Sequence, residues 1–314
     1  MRAFRFWASA AAATEGGREV AALARRAESM GYTGVVLPDH LLEQHAPIPL
    51  LATVAAVTEK LRIGTFVLNA ALRHPAVLAQ ELASLDVLSG GRLEIGIGAG
   101  WNQPEFDGIG IQFDPVPARI DRLTEVLAIL KGCFAGGPFS YAGKYYTITE
   151  HDGLPKPVQR PHPPLFVGGG GRRLLTLAGR EAQIIGLAPR LLPGPLPDPR
   201  SFTMAAAEEK IGWVREAAGD RFADLELNTY PSGAGPQITN DALAIARERV
   251  ERLHTMTGHQ LTPQEWLDSP HVFVGTVAAL TDKILGLRER YGISSIMTGD
   301  VDDLAPVVEA LAGR

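Results

Sequence analysis

The sequence predicts an α/β fold of the (β/α)8 TIM-barrel class with insertions. Two observations lead to this prediction. Short apolar runs typical of strands recur along the chain, and they alternate with stretches that carry apolar residues at helical spacing. The length of 314 residues suits one such barrel, and a content of 46% hydrophobic and 21% charged residues is typical of a globular protein with a sizeable core. We therefore expect a single domain over residues 1–314.

The predicted strands and helices alternate in order along the chain. The strands cover residues 3–8, 34–37, 61–68, 92–98, 164–167, 182–187, 225–230 and 293–298. The helices cover residues 17–30, 49–59, 75–88, 119–134, a stretch ending at 178, 202–218, 241–257, 277–291 and 303–312. Because right-handed crossovers cover both faces of parallel strands, this alternation favours a closed barrel. The alternative is an open doubly wound sheet, but the glycines of Gly96-Ile-Gly-Ala-Gly100 do not open the first βα unit, as a dinucleotide site would require.

Two segments interrupt the repeat. Residues 136–150 contain a short predicted β-hairpin between glycine-rich turns. Residues 189–224 begin with a proline-rich stretch and continue into a helix. Long excursions of this kind often cover an active site, so the second insertion is either a lid or a structural excursion.

Composition narrows the class of partner. A formal net charge of −5 offers no basic surface for a nucleic acid, so we expect a small-molecule substrate. No stretch approaches the ~20 apolar residues of a membrane span, and we expect a cytoplasmic protein. The single cysteine, Cys133, lies on the apolar face of a predicted helix and is interpreted as a core thiol. The eight histidines form no metal-binding motif, so we predict no metal site.

The end of the second predicted strand carries the first candidate catalytic residues. In a parallel barrel, catalytic side chains lie at the carboxyl ends of the strands. His40 can exchange a proton near neutral pH from that position, or it can cap the next helix. Asp39 either orients His40 or serves as an N-cap itself.

The end of the fourth predicted strand carries a second group of candidates. Gly98 and Gly100 bring the backbone close to whatever lies above the barrel, and Trp101 and Asn102 follow them. An aromatic plane beside an amide suits a tricyclic ring of the isoalloxazine type, although a tryptophan packed in the core is the alternative. Glu105 could act as an acid or a base, or it could be an ordinary loop glutamate.

Four consecutive glycines, Gly168, Gly169, Gly170 and Gly171, follow the fifth predicted strand and open a helix. Backbone amides at a helix N-terminus suit a phosphate, and barrels commonly bind phosphate in their later loops. Arg172 and Arg173 could add positive charge. The alternative is a tight structural turn.

Several segments together resemble the luciferase-like monooxygenase superfamily, in particular its branch that uses coenzyme F420. The resemblance covers nearly the whole chain. It lies in the segments Gly31-Tyr-Thr-Gly-Val-Val-Leu-Pro-Asp-His40, Leu61 to Asn69, Leu88-Ser-Gly-Gly-Arg-Leu-Glu-Ile-Gly-Ile-Gly-Ala-Gly-Trp101, Gly168 to Leu187 and Phe273-Val-Gly-Thr276.

The resemblance implies where a cofactor would bind. It implies a barrel with the ring at the strand ends, near Asn69 and Ala70, and with phosphate near the fifth-strand loop. It also implies a non-prolyl cis peptide in a bulge around Asn69–Ala70. By position, His40 and Glu105 are similar to a histidine and a glutamate that transfer protons in F420-dependent sugar-phosphate dehydrogenases. Trp101 has no obvious counterpart there, so the sugar-phosphate substrate does not carry over.

The resemblance also implies a function. We expect an F420-dependent oxidoreductase that transfers a hydride between the deazaflavin and a small organic substrate, and a homodimer. An FMNH2-dependent monooxygenase and a noncatalytic flavin-binding relative are the alternatives. F420 and FMN share a ring and a ribityl phosphate, but the longer anionic tail of F420 would favour an open basic channel beyond Gly168 to Gly171.

Overall fold

The computed structural model describes residues 1–192, 196–232 and 235–314. Eight strands in parallel pairings form the framework of this part of the chain. They are β1 (Arg5–Ser9), β2 (Gly34–Leu37), β3 (Arg62–Thr65), β4 (Leu93–Gly98), β5 (Leu165–Gly169), β6 (Ile184–Leu187), β7 (Glu226–Thr229) and β8 (Ile293–Met297). Each lies within a few residues of its predicted position, and the alternation with helices is that of the predicted (β/α)8 class.

The α-helices fall between these strands. They are α1 (Gly17–Ser29), α2 (Pro47–Val57), α3 (Pro75–Leu88), α4 (Gln103–Gly108), α5 (Val116–Phe134), α6 (Arg172–Glu181), α7 (Met204–Ala218), α8 (Ala242–Thr257), α9 (Pro263–Asp268), α10 (Val277–Tyr291) and α11 (Ala305–Leu311). The short helices α4 and α9 were not predicted, because six residues give too few turns for an apolar period to show. No helix among the described residues is long and apolar enough to cross a membrane.

The chain divides into two compact units. The first unit comprises residues 10–25 and 34–167, and in it β2, β3, β4 and β5 pair in that order. All six residues of β4 are buried, as expected for a parallel strand covered on both faces. Cys133 is buried in this unit, which confirms its interpretation as a core thiol, and burial raises the pKa of the thiol.

The second unit comprises residues 1–9, 26–33 and 168–314. In it β1, β8, β7 and β6 pair in that order, again in parallel. A separate apolar cluster joins α8 and α9 to the segment that precedes α7. Its buried members are Phe202, Ala246, Leu253, Trp266, Val272 and Val274.

The segment after β3 contains a bulge. Gly64 pairs with Glu94, and a short strand at Leu68–Asn69 continues the pairing at Leu68 with Ile97. Four positions separate Gly64 from Leu68 and three separate Glu94 from Ile97, so one extra residue is accommodated on the β3 side. The non-prolyl cis peptide lies within this extra length, at Phe66–Val67. The position implied for it, around Asn69–Ala70, is therefore wrong, because at Asn69 the chain has already returned to regular pairing with Gly98.

Both predicted insertions contain the expected elements. Antiparallel strands at Phe139–Ala142 and Thr147–His151 form the predicted hairpin. In the second insertion Leu191 bridges Pro197, and a 3-10 turn at Pro199–Ser201 leads into α7. Residues 193–195, in the proline-rich part of this insertion, lie outside the described residues, so the choice between a lid and a structural excursion stays open.

Candidate active site

His40 and Glu105 lie in contact in the first unit. His40 follows β2, and Glu105 lies in the first turn of α4. The His40 Nδ1 atom is 2.9 Å from Oε1 and 3.2 Å from Oε2 of Glu105. The Glu105 side chain is 5% exposed, and the His40 side chain is 22% exposed. A buried carboxylate against one ring nitrogen orients the imidazole and leaves Nε2 as the nitrogen that can exchange a proton with a ligand.

Asp39 is buried beside this pair and holds other parts of the site. Its Oδ2 atom accepts the Asn69 N–H at 3.0 Å. The Arg73 guanidinium donates to both Asp39 oxygens, at 2.6 and 3.1 Å. Burial lowers the pKa of Arg73, but the hydrogen bonds and charge of Asp39 and the charge of Glu81 outweigh it, so the net shift is upward. Asp39 thus connects the end of β2 to the short strand at Leu68–Asn69 and to the turn before α3, and it does not cap a helix.

Asn69 and Ala70 are buried, and their polar groups bond within the loop. Asn69 Oδ1 accepts the Ala71 N–H at 3.1 Å, and the Ala70 N–H donates to the Gly98 carbonyl at 3.0 Å. The second bond joins the segment after the bulge to the end of β4.

The glycines of β4 allow the bulge to approach. A Cβ atom at Gly96 would lie 2.0 Å from the Thr65 carbonyl oxygen, and one at Gly98 would lie 2.9 Å from the Val67 side chain. Gly100 has a φ of +77°, and a Cβ atom there would be 2.7 Å from Asn69 Oδ1. In this structure, therefore, these glycines allow close contact with Thr65, Val67 and Asn69 of the same chain.

Trp101 stands at the exposed side of the histidine. Its side chain is 50% exposed, so it is not a core tryptophan. Its ring centroid lies 5.5 Å from that of His40 in an edge-to-face arrangement. Asn102 is partly exposed at the N-cap of α4, where its carbonyl accepts the Glu105 N–H at 3.1 Å. An exposed indole beside the His40–Glu105 pair is a surface on which a planar group can lie.

The glycine run belongs to the second unit, and its glycines differ in how closely other residues pack against them. Gly168 and Gly169 are the last residues of β5, and Gly171 is the N-cap of α6. A Cβ atom at Gly170 would meet Arg190 N and the Pro189 carbonyl oxygen at 2.5 Å, whereas one at Gly171 would meet nothing within 4 Å. Gly170 is thus required by packing, and Gly171 faces open space.

This geometry agrees with a family comparison. The family model for luciferase-like monooxygenases matches residues 2–195, which is more than half of the chain. The chain belongs to the luciferase-like monooxygenase family.

Two relatives of this luciferase-like chain use different cofactors. The F420-dependent glucose-6-phosphate dehydrogenase of Microbacterium testaceum is 36% identical over 165 residues, which is 50% of this chain and 48% of the relative. The FMNH2-dependent dimethylsulfone monooxygenase of Pseudomonas putida is 34% identical over 137 residues, 44% of this chain and 38% of the relative. The chain therefore matches about half or less of the length of these curated relatives.

Solved structures match the full length of the luciferase-like chain. The F420-dependent tetrahydromethanopterin reductase of Methanopyrus kandleri superimposes with a TM-score of 0.76, with 20% identity, over 99% of this chain and 98% of that one. An F420-dependent secondary alcohol dehydrogenase superimposes with a TM-score of 0.75, with 19% identity, over the whole of both chains. At this identity the likeness shows the fold, and the predicted (β/α)8 fold class is confirmed.

Sequence reasoning missed several residues that hold the site in place. Arg73 was not connected to Asp39, 34 positions away, although it directly precedes the His74-Pro75 helix start. Arg119 was not recognised as the partner of the Gly100 carbonyl. In the second insertion, Asp198 and Arg200 were not recognised as an ion pair, although they lie only two positions apart.

Proposed function

We propose that this protein is an F420-dependent oxidoreductase that transfers a hydride between the deazaflavin and a small organic substrate. The observation that carries the proposal is the His40–Glu105 pair, with a buried carboxylate against Nδ1 of a partly exposed imidazole. Hydride transfer to or from a carbon that bears oxygen requires a proton to move at that oxygen. His40 would give or take this proton at Nε2, and Glu105 would hold the ring in place through Nδ1.

The remaining predicted residues would surround the cofactor. Trp101 and Asn102 would lie against the ring, and the backbone of Asn69, Ala70, Gly98 and Gly100 would form its wall, with Asp39 fixing that wall. The open space at Gly171 and the N-terminus of α6 fit a phosphate, with Gly168, Gly169 and Gly170 shaping the turn. When bound, the deazaflavin supplies or accepts the hydride.

An FMNH2-dependent monooxygenase is the second candidate. It is favoured by the similarity to the dimethylsulfone monooxygenase, which lies in the same range of identity as that to the F420-dependent relative. Titration of the purified protein with F420 and with FMN, followed by fluorescence quenching, separates the two. Tight FMN binding without F420 binding would reverse our order, and binding of neither would contradict both, leaving a noncatalytic relative.

Substitution at the pair tests the catalytic assignment. We expect His40→Ala to lower turnover by about a hundredfold or more, because general acid–base groups contribute that much, while cofactor affinity changes little. Glu105→Gln should lower turnover less, because an amide can still accept a hydrogen bond from Nδ1. Steady-state kinetics and cofactor titration on the same preparations measure both quantities. Unchanged turnover in His40→Ala would remove His40 from the mechanism.

We also propose a homodimer, on the family resemblance, and a mass measurement in solution would check it. A cytoplasmic location stays a prediction.

A further inference from the structure

Two arginines of the second insertion converge on one buried carboxylate. Asp198 is 0% exposed, and its Oδ1 atom accepts Arg200 Nε at 2.9 Å. Its Oδ2 atom accepts a second Arg200 N–H at 3.0 Å and an Arg190 N–H at 2.8 Å. The hydrogen bonds from Arg200, together with those from Arg190, hold the pKa of Asp198 well below its usual range in spite of burial. The ion pairs therefore persist throughout the neutral range.

This arginine pair, Arg190 and Arg200, begins directly beside the glycine run. The Arg190 backbone is so close to Gly170 that no Cβ atom fits between them. The Ala188 N–H donates to the Gly169 carbonyl at 3.1 Å, so the chain after β6 is joined to the end of β5.

The local charge is positive although the whole chain is negative. Lys210, a buried residue of α7, donates to the carbonyls of Ala188 and Ser201 at 2.7 and 3.1 Å. Arg190 and Arg200 both pair with the buried carboxylate of Asp198, and the charges of Arg190 and Asp198 also act on Lys210, in a chain of net charge −5. Glu209 is the other carboxylate whose charge acts on Lys210, and it is exposed to solvent.

Both arginines remain open to a ligand. Their side chains are 56% and 57% exposed, while the carboxylate that fixes them is not. Asp198 engages Arg190 through a single N–H group, and a guanidinium carries five. A guanidinium that is held in place and still exposed is suited to bidentate binding of phosphate or carboxylate.

We propose that Arg190, fixed by Asp198 together with Arg200, binds a phosphate or carboxylate group beside the glycine run. The inference rests on the proposed function. The anionic group belongs either to the cofactor, as its phosphate or its acidic tail, or to an anionic substrate. Arg190 is the binding residue, and Asp198 and Arg200 are positioning residues.

The experiment compares, for the deazaflavin ring and for the flavin ring, ligands with and without anionic groups. Wild type, Arg190→Gln and Arg190→Lys are titrated with F420, with its tail-free and phosphate-free deazaflavin, with FMN and with riboflavin. We expect Arg190→Gln to weaken F420 binding about tenfold or more, as loss of a charge-assisted hydrogen bond does, and to change binding of the tail-free deazaflavin less than twofold. Arg190→Lys keeps the positive charge but loses the planar guanidinium. Its affinity for F420 should lie between those of wild type and Arg190→Gln. Arg247→Gln, at an exposed position of α8, removes one positive charge as a matched control and should bind like wild type.

The effects of Arg190→Gln on the affinities for F420 and FMN identify the source of the anion. Equal weakening of F420 and FMN assigns Arg190 to the shared phosphate, and weakening of F420 alone assigns it to the acidic tail. Inorganic phosphate is titrated separately, without cofactor, by the shift in melting temperature. A shift in wild type that is lost in Arg190→Gln, with F420 affinity unchanged, assigns the site to an anionic substrate.

The failures are distinguishable. If Arg190→Gln binds F420, FMN and phosphate as wild type does, the anion site is overturned. If wild type binds neither cofactor, the proposed function is overturned, and the phosphate titration still decides the anion site. Arg190→Gln leaves the three Arg200 hydrogen bonds to Asp198 in place, and Arg190→Lys provides a second variant that keeps the cation.

Discussion

Neighbouring glycines of the run after β5 do different things. Gly170 packs against the backbone of Pro189 and Arg190, whereas Gly171 has a φ of −108° and open space around its Cα atom. The phosphate prediction and the tight-turn alternative therefore need not exclude each other, because each describes one position of the same run.

This difference leads to a paired prediction. We expect Gly170→Ala to lower the free energy of unfolding by about 1–3 kcal/mol, as overpacking does, because its Cβ atom would meet backbone. Gly171→Ala should leave stability unchanged within about 0.5 kcal/mol and weaken F420 or FMN binding, because its methyl group enters the space proposed for the phosphate. Urea unfolding and cofactor titration measure the two effects. Normal affinity in Gly171→Ala would remove the phosphate from this position.

Lys210 is a buried cation with an unusual titration. Burial, followed by the charge of Arg190, lowers the pKa of Lys210 to about 8. Between this pH and about 10.4, the ordinary value for lysine, the unfolded chain keeps a proton that the folded chain has lost. The contribution of Lys210 to stability therefore rises with pH across this window.

Replacement of Lys210 tests whether its contribution to stability rises with pH. We expect Lys210→Met to lower the free energy of unfolding at pH 7.5 by roughly 1–3 kcal/mol, because the carbonyls of Ala188 and Ser201 lose their donor. The deficit relative to wild type should grow between pH 8 and pH 10. Urea unfolding at several pH values measures it, with Arg25→Met at an exposed position of α1 as the control. A deficit that shrinks over this range would contradict the direction of the shift.

At the scale of elements, the hairpin of the first insertion is anchored by one carboxylate. Glu125, on α5, accepts the backbone N–H groups of Lys144, Tyr145 and Tyr146 at 2.7, 3.0 and 3.1 Å. A Cβ atom at Gly143 would collide with this carboxylate, so the turn residue must be glycine for the anchor to form. A two-stranded hairpin is marginally stable by itself, so its order depends on this anchor.

Replacement of the anchor should therefore loosen the hairpin. We expect Glu125→Gln to cost about 1–3 kcal/mol in the free energy of unfolding, because an amide has one acceptor oxygen for three donors. Hydrogen exchange should accelerate at residues 139–151 before it changes elsewhere. Glu150→Gln, exposed in the same hairpin, should change neither quantity. Unchanged exchange in Glu125→Gln would show that the strands hold each other without the anchor.

At the scale of the whole molecule, cofactor binding should stabilise the folded chain. A ligand at one hundred times its dissociation constant adds about 2.7 kcal/mol to the free energy of unfolding when it binds the folded state only. We expect the preferred cofactor to raise the melting temperature by several degrees. Calorimetry with F420, FMN and riboflavin would measure the shift, and His40→Ala should show nearly the full shift. No shift with any of the three would speak against a cofactor-binding fold.

The barrel and the first catalytic candidate follow from local patterns. Apolar runs and helical spacing repeat over a few residues, so β2, β4 and α3 were predicted to within about one residue without knowledge of their neighbours. His40 could be selected in the same way, because the end of a predicted strand is a local property.

What the sequence alone determined is thus the order of strands and helices, the two insertions and the residues that end each strand. Only the tertiary structure decided which of these residues touch. Glu105 contacts His40, 65 positions away in the sequence. Asp39 binds Arg73 and does not cap a helix. Gly96 lies so close to the Thr65 carbonyl that a Cβ atom would not fit. The reason is physical: periodicity records which face of an element is buried, whereas partners at strand ends depend on how loops fold over one another, and loops carry no period.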